Sequence, residues 1–154
     1  MLQIGHAAPT FSLPDADMAN TKLADYKGQQ HVVLYFYPRD DTPGCTLEAI
    51  EFSDMDDEFD KLNTAVLGVS RDDCMSHAAF RDKHGLAVRL LADTEGTVCN
   101  KYGVWQEKEK DGVKKMGIVR STFIIDKHGI LRHALYNVTA KGHAAEVLKL
   151  IKAL

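Results

Sequence analysis

The stretch Pro38-Arg-Asp-Asp-Thr42-Pro43-Gly44-Cys45-Thr46-Leu47-Glu48 gathers the residues of this 154-residue chain best suited to chemistry. Thr42 suits a helix N-cap and Pro43 the first helical position, so Cys45 is expected in the first turn. There a sulfur meets backbone N–H groups that the helix leaves unsatisfied, and the positive end of the helix dipole. Both stabilise a thiolate, the nucleophilic form of the side chain. The apolar run before Pro38 reads as a strand, which puts Cys45 at the carboxyl edge of a sheet, where open α/β sheets hold their sites. Capping preference alone also accounts for Thr42 and Pro43, and a buried structural cysteine would leave the same trace. The local pattern keeps both readings open.

Other constellations are weaker. Cys45, Cys74 and Cys99 are widely spaced and form no CxxC, so neither a disulfide framework nor a four-thiolate zinc site fits. Cys74-Met-Ser-His77 is half of a zinc site without a second half, and His77 is expected to be solvated. His6, His31, His84, His128, His133 and His143 are scattered and read as surface or turn residues. Asp56, Asp57, Glu58 and Asp60 read as a solvated helix face. A calcium loop beginning at Asp54 would need glycine where Phe59 stands.

The elements that must hold these residues follow from hydrophobic periodicity. Short apolar pieces at Phe11–Leu13 and Lys22–Leu23 flank turn residues and predict a hairpin. The run from His31 to Tyr37 is continuously apolar, as expected of a strand buried on both faces. A helix is predicted from Thr42 to Leu62, a strand over Ala65–Val69, and a helix from Cys74 to His84 closed by Gly85. A strand near Val88–Leu91 and a helix from about Glu95 to Tyr102 follow. Asp111-Gly112 marks an exposed hairpin. Ile118–Asp126 and Ile130–Asn137 read as an antiparallel pair, and His143–Leu154 as a closing amphipathic helix. This order predicts an α/β, thioredoxin-like fold with an added N-terminal hairpin and an inserted strand-helix piece.

Composition narrows the class. With 45% apolar and 27% charged residues, the chain is expected to fold as one domain over residues 1–154. The longest apolar run, Val32–Tyr37, is far below the roughly 20 residues that span a bilayer. The opening MLQIGHAAPTF has no secretory pattern, so a cytoplasmic protein is expected, with no membrane partner. A net charge of -3 argues against nucleic acid as a partner.

Pro38, Thr42 and Cys45 form a P-x-x-x-T-x-x-C signature that resembles the peroxiredoxins. The wider FYPRDDTPGCTLE is similar to the peroxiredoxin Q, or bacterioferritin comigratory protein, branch. The resemblance continues through Gly5, Pro9 and Phe11, GVSRD at 68–72, LLAD at 90–93, YGVW at 102–105 and RSTFIID at 120–126. It implies a cofactor-free thiol peroxidase acting on hydrogen peroxide and organic hydroperoxides. Cys45 would be the peroxidatic nucleophile, while the Thr42 hydroxyl and the Cys45 N–H hold the peroxide oxygens. Pro38 would shield the sulfur, Arg120 activate the thiol and polarise the O–O bond, and Glu48 orient Thr42 and Arg120. A disulfide oxidoreductase of the same fold is disfavoured by the missing CxxC, and a binding module with an inert cysteine is the rival of another class.

The chain departs from the branch at its resolving cysteines. The position five after Cys45 is Ile50, and the alternative in the next helix aligns with Arg81. A one-cysteine mechanism is expected, with thioredoxin, glutaredoxin or glutathione reducing the oxidised sulfur. The alternative is an atypical two-cysteine cycle resolved by Cys74 and reduced by thioredoxin. Cys99 is expected to pack in the core. The resemblance also implies a monomer.

Overall fold

The computed structural model describes residues 2–154. A five-stranded mixed sheet forms its centre, in the order β5-β4-β3-β8-β9. The central strand, β3 (His31–Phe36), pairs in parallel with β4 (Thr64–Ser70), which pairs in parallel with β5 (Arg89–Ala92). On its other side β3 runs antiparallel to β8 (Ser121–Ile125), and β8 to β9 (Leu131–Leu135). Strand β3 is buried on both faces, as its unbroken apolar run predicts, and its side chains alternate between two cores. Val32, Leu34 and Phe36 join Leu67, Val69, Tyr102 and Phe123. Val33, Tyr35 and Tyr37 join Cys45, Phe52, Phe59, Phe80 and Val147.

Helices complete the cores. Helix α1 (Pro43–Asp54) leaves the end of β3, and α3 (Cys74–His84) leaves the end of β4. Asp73 caps α3 by accepting the Ser76 N–H at 2.8 Å, and Gly85 ends it in the left-handed conformation. Helix α5 (His143–Lys152) packs Val147 and Ile151 into the second core. A small helix, α4 (Thr97–Lys101), buries Val98 and Cys99 in the first core. The N-terminal hairpin is β1 (Ser12–Pro14) with β2 (Asn20–Lys22), and the exposed hairpin is β6 (Trp105–Lys110) with β7 (Val113–Ile118).

Two elements differ from the sequence expectation. The helix predicted from Thr42 to Leu62 breaks at Met55, which adopts a non-helical conformation, and resumes as α2 (Asp56–Lys61). Phe59 is buried in the core beside Phe52, while Asp57, Glu58 and Asp60 stay exposed. The strand predicted from Ile118 to Asp126 is divided. Ile118 ends the exposed hairpin, β8 begins at Ser121, and Val119 and Arg120 form the corner between them.

Candidate active site

The sheet register brings the two halves of the site together. Phe36 at the end of β3 pairs with Ser121 at the start of β8. The chain just beyond β3, which becomes Pro38 to Cys45, therefore lies at the same sheet edge as Arg120, the residue just before β8. Arg120 is fixed there by its carbonyl, which accepts the Val138 N–H at 2.9 Å. Gly44 permits the close approach: a Cβ at this position would lie 3.1 Å from Arg120 Nη2.

Arg120 bridges two buried groups on α1. Its Nη1 donates to Glu48 Oε1 at 2.7 Å, and its Nη2 donates to Cys45 Sγ at 3.4 Å. Cys45 is 2% exposed and Glu48 fully buried. The two are three residues apart on one helix, so both point at the same guanidinium. Burial pushes the Glu48 carboxyl up to about 7, against the pull of Arg120's charge and hydrogen bond. Its second oxygen, Oε2, is buried without a partner among the described residues. Tyr35, stacked on Phe52 beneath this cluster, is likewise buried with an unpartnered hydroxyl. Burial, with Glu48 and Cys45 nearby, raises the Tyr35 phenol well above its ordinary range, so it stays protonated.

Thr42 occupies the N-cap of α1 with extended backbone, but its side chain does not cap. The hydroxyl donates instead to the Arg39 carbonyl at 2.9 Å. The cap role expected from sequence is thus corrected: the side chain braces the tight Arg39–Thr42 turn through its donated hydrogen bond and makes none to a helix N–H. Since Pro43 has no N–H and Thr46 N–H bonds Thr42 O at 2.8 Å, the amides of Gly44 and Cys45 are the ones the helix leaves over. Glu48 bonds Arg120 and makes no hydrogen bond to Thr42 among the described residues. Pro38 is half-buried and walls a groove of about 360 Å³ lined also by Arg71, Trp105, Lys108, Met116 and Ile118.

The remaining cysteines lie apart from this cluster. Cys74 begins α3 half-buried, and burial with the charges of Asp15 and Asp73 raises its thiol. Cys99 is fully buried, and burial with a hydrogen bond to Asp93 raises its thiol strongly. Ile50 is half-buried on α1, and Arg81 pairs with Asp17 and Asp82.

Two histidines contradict the sequence expectation. His77 is not solvated but fully buried, with Nδ1 2.7 Å from Asp40 Oδ2 and Nε2 2.9 Å from Leu91 O. His143 is not a surface residue either: it is buried against Phe52, with Nε2 2.7 Å from Thr122 Oγ1. Their partners lie 37 and 21 residues away, and only the helical spacing of His77 and Phe80 on one face signalled burial. No helix among the described residues is long and apolar enough to cross a membrane.

Known proteins share both the sequence and the fold. Residues 4–134 match the AhpC/TSA family. Peroxiredoxin Bcp of Bacillus subtilis is 43% identical over 151 residues, covering 98% of this chain and 96% of that protein. Peroxiredoxin Bcp of Escherichia coli is 40% identical, with the same coverage. Among solved structures, a cysteine-to-serine mutant of Xylella fastidiosa PrxQ superposes with a TM-score of 0.93 at 37% identity, covering 99% of this chain and 97% of that one. The Xanthomonas campestris bacterioferritin comigratory protein, studied for its alkyl peroxide reduction activity, gives 0.88 at 38% identity, covering 93% and 90%. The fold is therefore thioredoxin-like, and the chain belongs to the AhpC/TSA family as a thiol-dependent peroxidase of the peroxiredoxin Q/Bcp branch.

Proposed function

We propose that the chain, acting as a single domain, reduces hydrogen peroxide and organic hydroperoxides at Cys45 by a one-cysteine mechanism. The observation that carries this reading is the contact of Arg120 Nη2 with Cys45 Sγ at 3.4 Å, in the first turn of α1. A cation at the sulfur stabilises the attacking thiolate and the negative charge that passes to the leaving oxygen. The thiolate attacks one peroxide oxygen; an S–O bond forms as the O–O bond breaks, leaving a sulfenic acid and an alkoxide or hydroxide that takes up a proton. With its own hydrogen donated to Arg39 O, the Thr42 oxygen has lone pairs to accept the peroxide O–H. The Cys45 N–H would hold the departing oxygen. Glu48 fixes the guanidinium, and Pro38 screens the oxidised sulfur from water. The groove beside Pro38 sets Trp105, Met116 and Ile118 among Arg71, Thr94 and Lys108, and its apolar side chains would take the alkyl part of an organic hydroperoxide.

The one-cysteine cycle is supported by the two other thiols. Both are raised above their ordinary range, so neither offers a ready thiolate to the sulfenic acid. An external thiol would condense with it to a mixed disulfide and water, and a second thiol would release Cys45. Thioredoxin, glutaredoxin and glutathione are the reductant classes to compare, with a cytoplasmic monomer as the working form. Peroxide consumption with each reductant tests the proposal. Cys45→Ser should abolish it, and Cys74→Ser with Cys99→Ser should leave it unchanged; activity persisting in Cys45→Ser rejects the assignment.

A further inference from the structure

We infer that Asp40 and His77 are positioning residues for the Cys45 turn: their buried pair clamps the loop from Pro38 to Thr42 onto α3. The inference rests on the peroxidase reading above. Asp40 lies in the loop that joins β3 to α1, two residues before Thr42 and five before Cys45. Three donors converge on its buried carboxylate. Tyr37 Oη donates to Oδ1 at 2.5 Å, while Ser76 Oγ at 2.8 Å and His77 Nδ1 at 2.7 Å approach Oδ2. The Asp40 N–H donates to Asp72 Oδ2 at 2.8 Å, and that oxygen also accepts Ser70 Oγ at 2.7 Å. The loop is thereby tied to the ends of β3 and β4 and to the first turn of α3.

The protons follow from the partners. A carbonyl oxygen only accepts, so His77 Nε2 carries hydrogen toward Leu91 O. Nδ1 lies 2.7 Å from Asp40 Oδ2 and 3.3 Å from Tyr37 Oη, so one proton bridges His77 and Asp40, and both ring nitrogens and both carboxyl oxygens are engaged. Asp40, Asp72 and His77 offer ligand atoms within 4.8 Å of one another, but these hydrogen bonds occupy them. Breaking these buried hydrogen bonds leaves polar atoms unsatisfied away from water, which makes the clamp stiff.

A second tie runs to the other end of α3. Asp41 takes a left-handed conformation with φ of 56°, and its carboxylate meets Lys83 Nζ at 2.6 Å and His84 Nε2 at 2.8 Å. This pairing is exposed and contributes less than the buried one. Neither Asp40 nor His77 hydrogen-bonds Cys45, Glu48 or Arg120 among the described residues, so any effect on the sulfur passes through the loop.

The test compares three rates in a Cys74→Ser background, where Cys45 is the reporting thiol. These are single-turnover oxidation by hydrogen peroxide, alkylation by iodoacetamide, and amide exchange at Thr46, whose N–H closes the first turn onto Thr42 O. His77→Gln should slow peroxide oxidation about tenfold or more, because that step needs Thr42 and the sulfur aligned. Alkylation, which needs only the thiolate, should change less than about threefold, and Thr46 exchange should quicken about tenfold. Ser76→Ala removes one bond without stranding a charge and should move the same rates by about threefold; it decides the matter if His77→Gln does not fold. Peroxide rate and Thr46 exchange both within about twofold of the parent would overturn the clamp, as would peroxide and alkylation rates falling together. If the parent protein fails to react with peroxide, the peroxidase reading fails, and Thr46 exchange alone judges the clamp.

Discussion

Glu48 and Arg120 form a largely buried ion pair of unequal halves: Oε1 takes the guanidinium at 2.7 Å while Oε2 is buried with no partner among the described residues. A carboxylate so placed is short of donors, and a proton on Oε2 relieves the cost of burying its charge. This accounts for a carboxyl pushed up to about 7, and it sets how Glu48 responds to pH.

The folded state holds the Glu48 proton up to about pH 7, whereas the unfolded chain releases it near 4.5. Between those values the folded state binds more protons, so its stability falls as pH rises, and the loss is complete above about 7. Glu48→Gln has no such proton to lose. Its stability relative to wild type should therefore rise by about 1–3 kcal/mol from pH 4.5 to 7 and stay level beyond. Urea unfolding at several pH values measures this; a difference that does not vary with pH contradicts the buried, proton-sharing carboxyl.

Arg120→Ala removes the cation from both partners. Glu48 can take up a proton, so the stability cost should be limited to about 1–3 kcal/mol. Peroxide reduction should fall about 100-fold or more, since the donor to sulfur and leaving oxygen is gone. Combining Arg120→Ala with Glu48→Gln should restore much of the stability and none of the rate. Recovery of turnover in the double variant would remove Arg120 from the chemistry.

Thr42→Val separates a hydroxyl that binds peroxide from one that only braces a turn. The side chain makes one hydrogen bond, to Arg39 O, and none to the helix, so unfolding should shift by about 0.5–1.5 kcal/mol. Stopped-flow oxidation of Cys45 should slow by about tenfold or more. A destabilised variant with the wild-type rate would confine Thr42 to the turn.

Gly44→Ala probes the packing of Arg120 over the first turn. The new Cβ would stand 3.1 Å from Nη2, so the guanidinium must shift by tenths of an ångström from Cys45 and Glu48. Helix propensity favours alanine by up to about 1 kcal/mol, so stability should hold or rise. The peroxide rate should drop about threefold to tenfold. A rate equal to wild type would mean that the guanidinium need not sit so close.

Much of this arrangement was legible in the chain because its signals are local. The apolar run of β3, the Thr42-Pro43 start of α1 and the Gly85 end of α3 each declare themselves within a few residues. The motif around Cys45 and the distant Arg120 were reached by family resemblance, since no spacing links residues 75 apart. What stayed hidden depends on long-range partners. His77 is polar and appears solvated until Asp40 and Leu91 O meet its two nitrogens. His143 is buried because Thr122 across the fold accepts or donates at 2.7 Å. The break at Met55 has no proline or glycine to announce it, and Phe52 and Phe59, seven residues apart, would share one face of an unbroken helix as well.

In the proposed one-cysteine cycle, peroxide oxidises Cys45, which then waits for an external thiol. Intact mass after one equivalent of hydrogen peroxide, without added thiol, tests it most directly. The expected product is a protein one oxygen heavier, with the added oxygen mapped to Cys45 and driven to the irreversible acids by excess peroxide. The Cys74→Ser, Cys99→Ser double variant should give the same product. A protein lighter by two hydrogens, with a digest joining Cys45 to Cys74, would contradict the one-cysteine cycle.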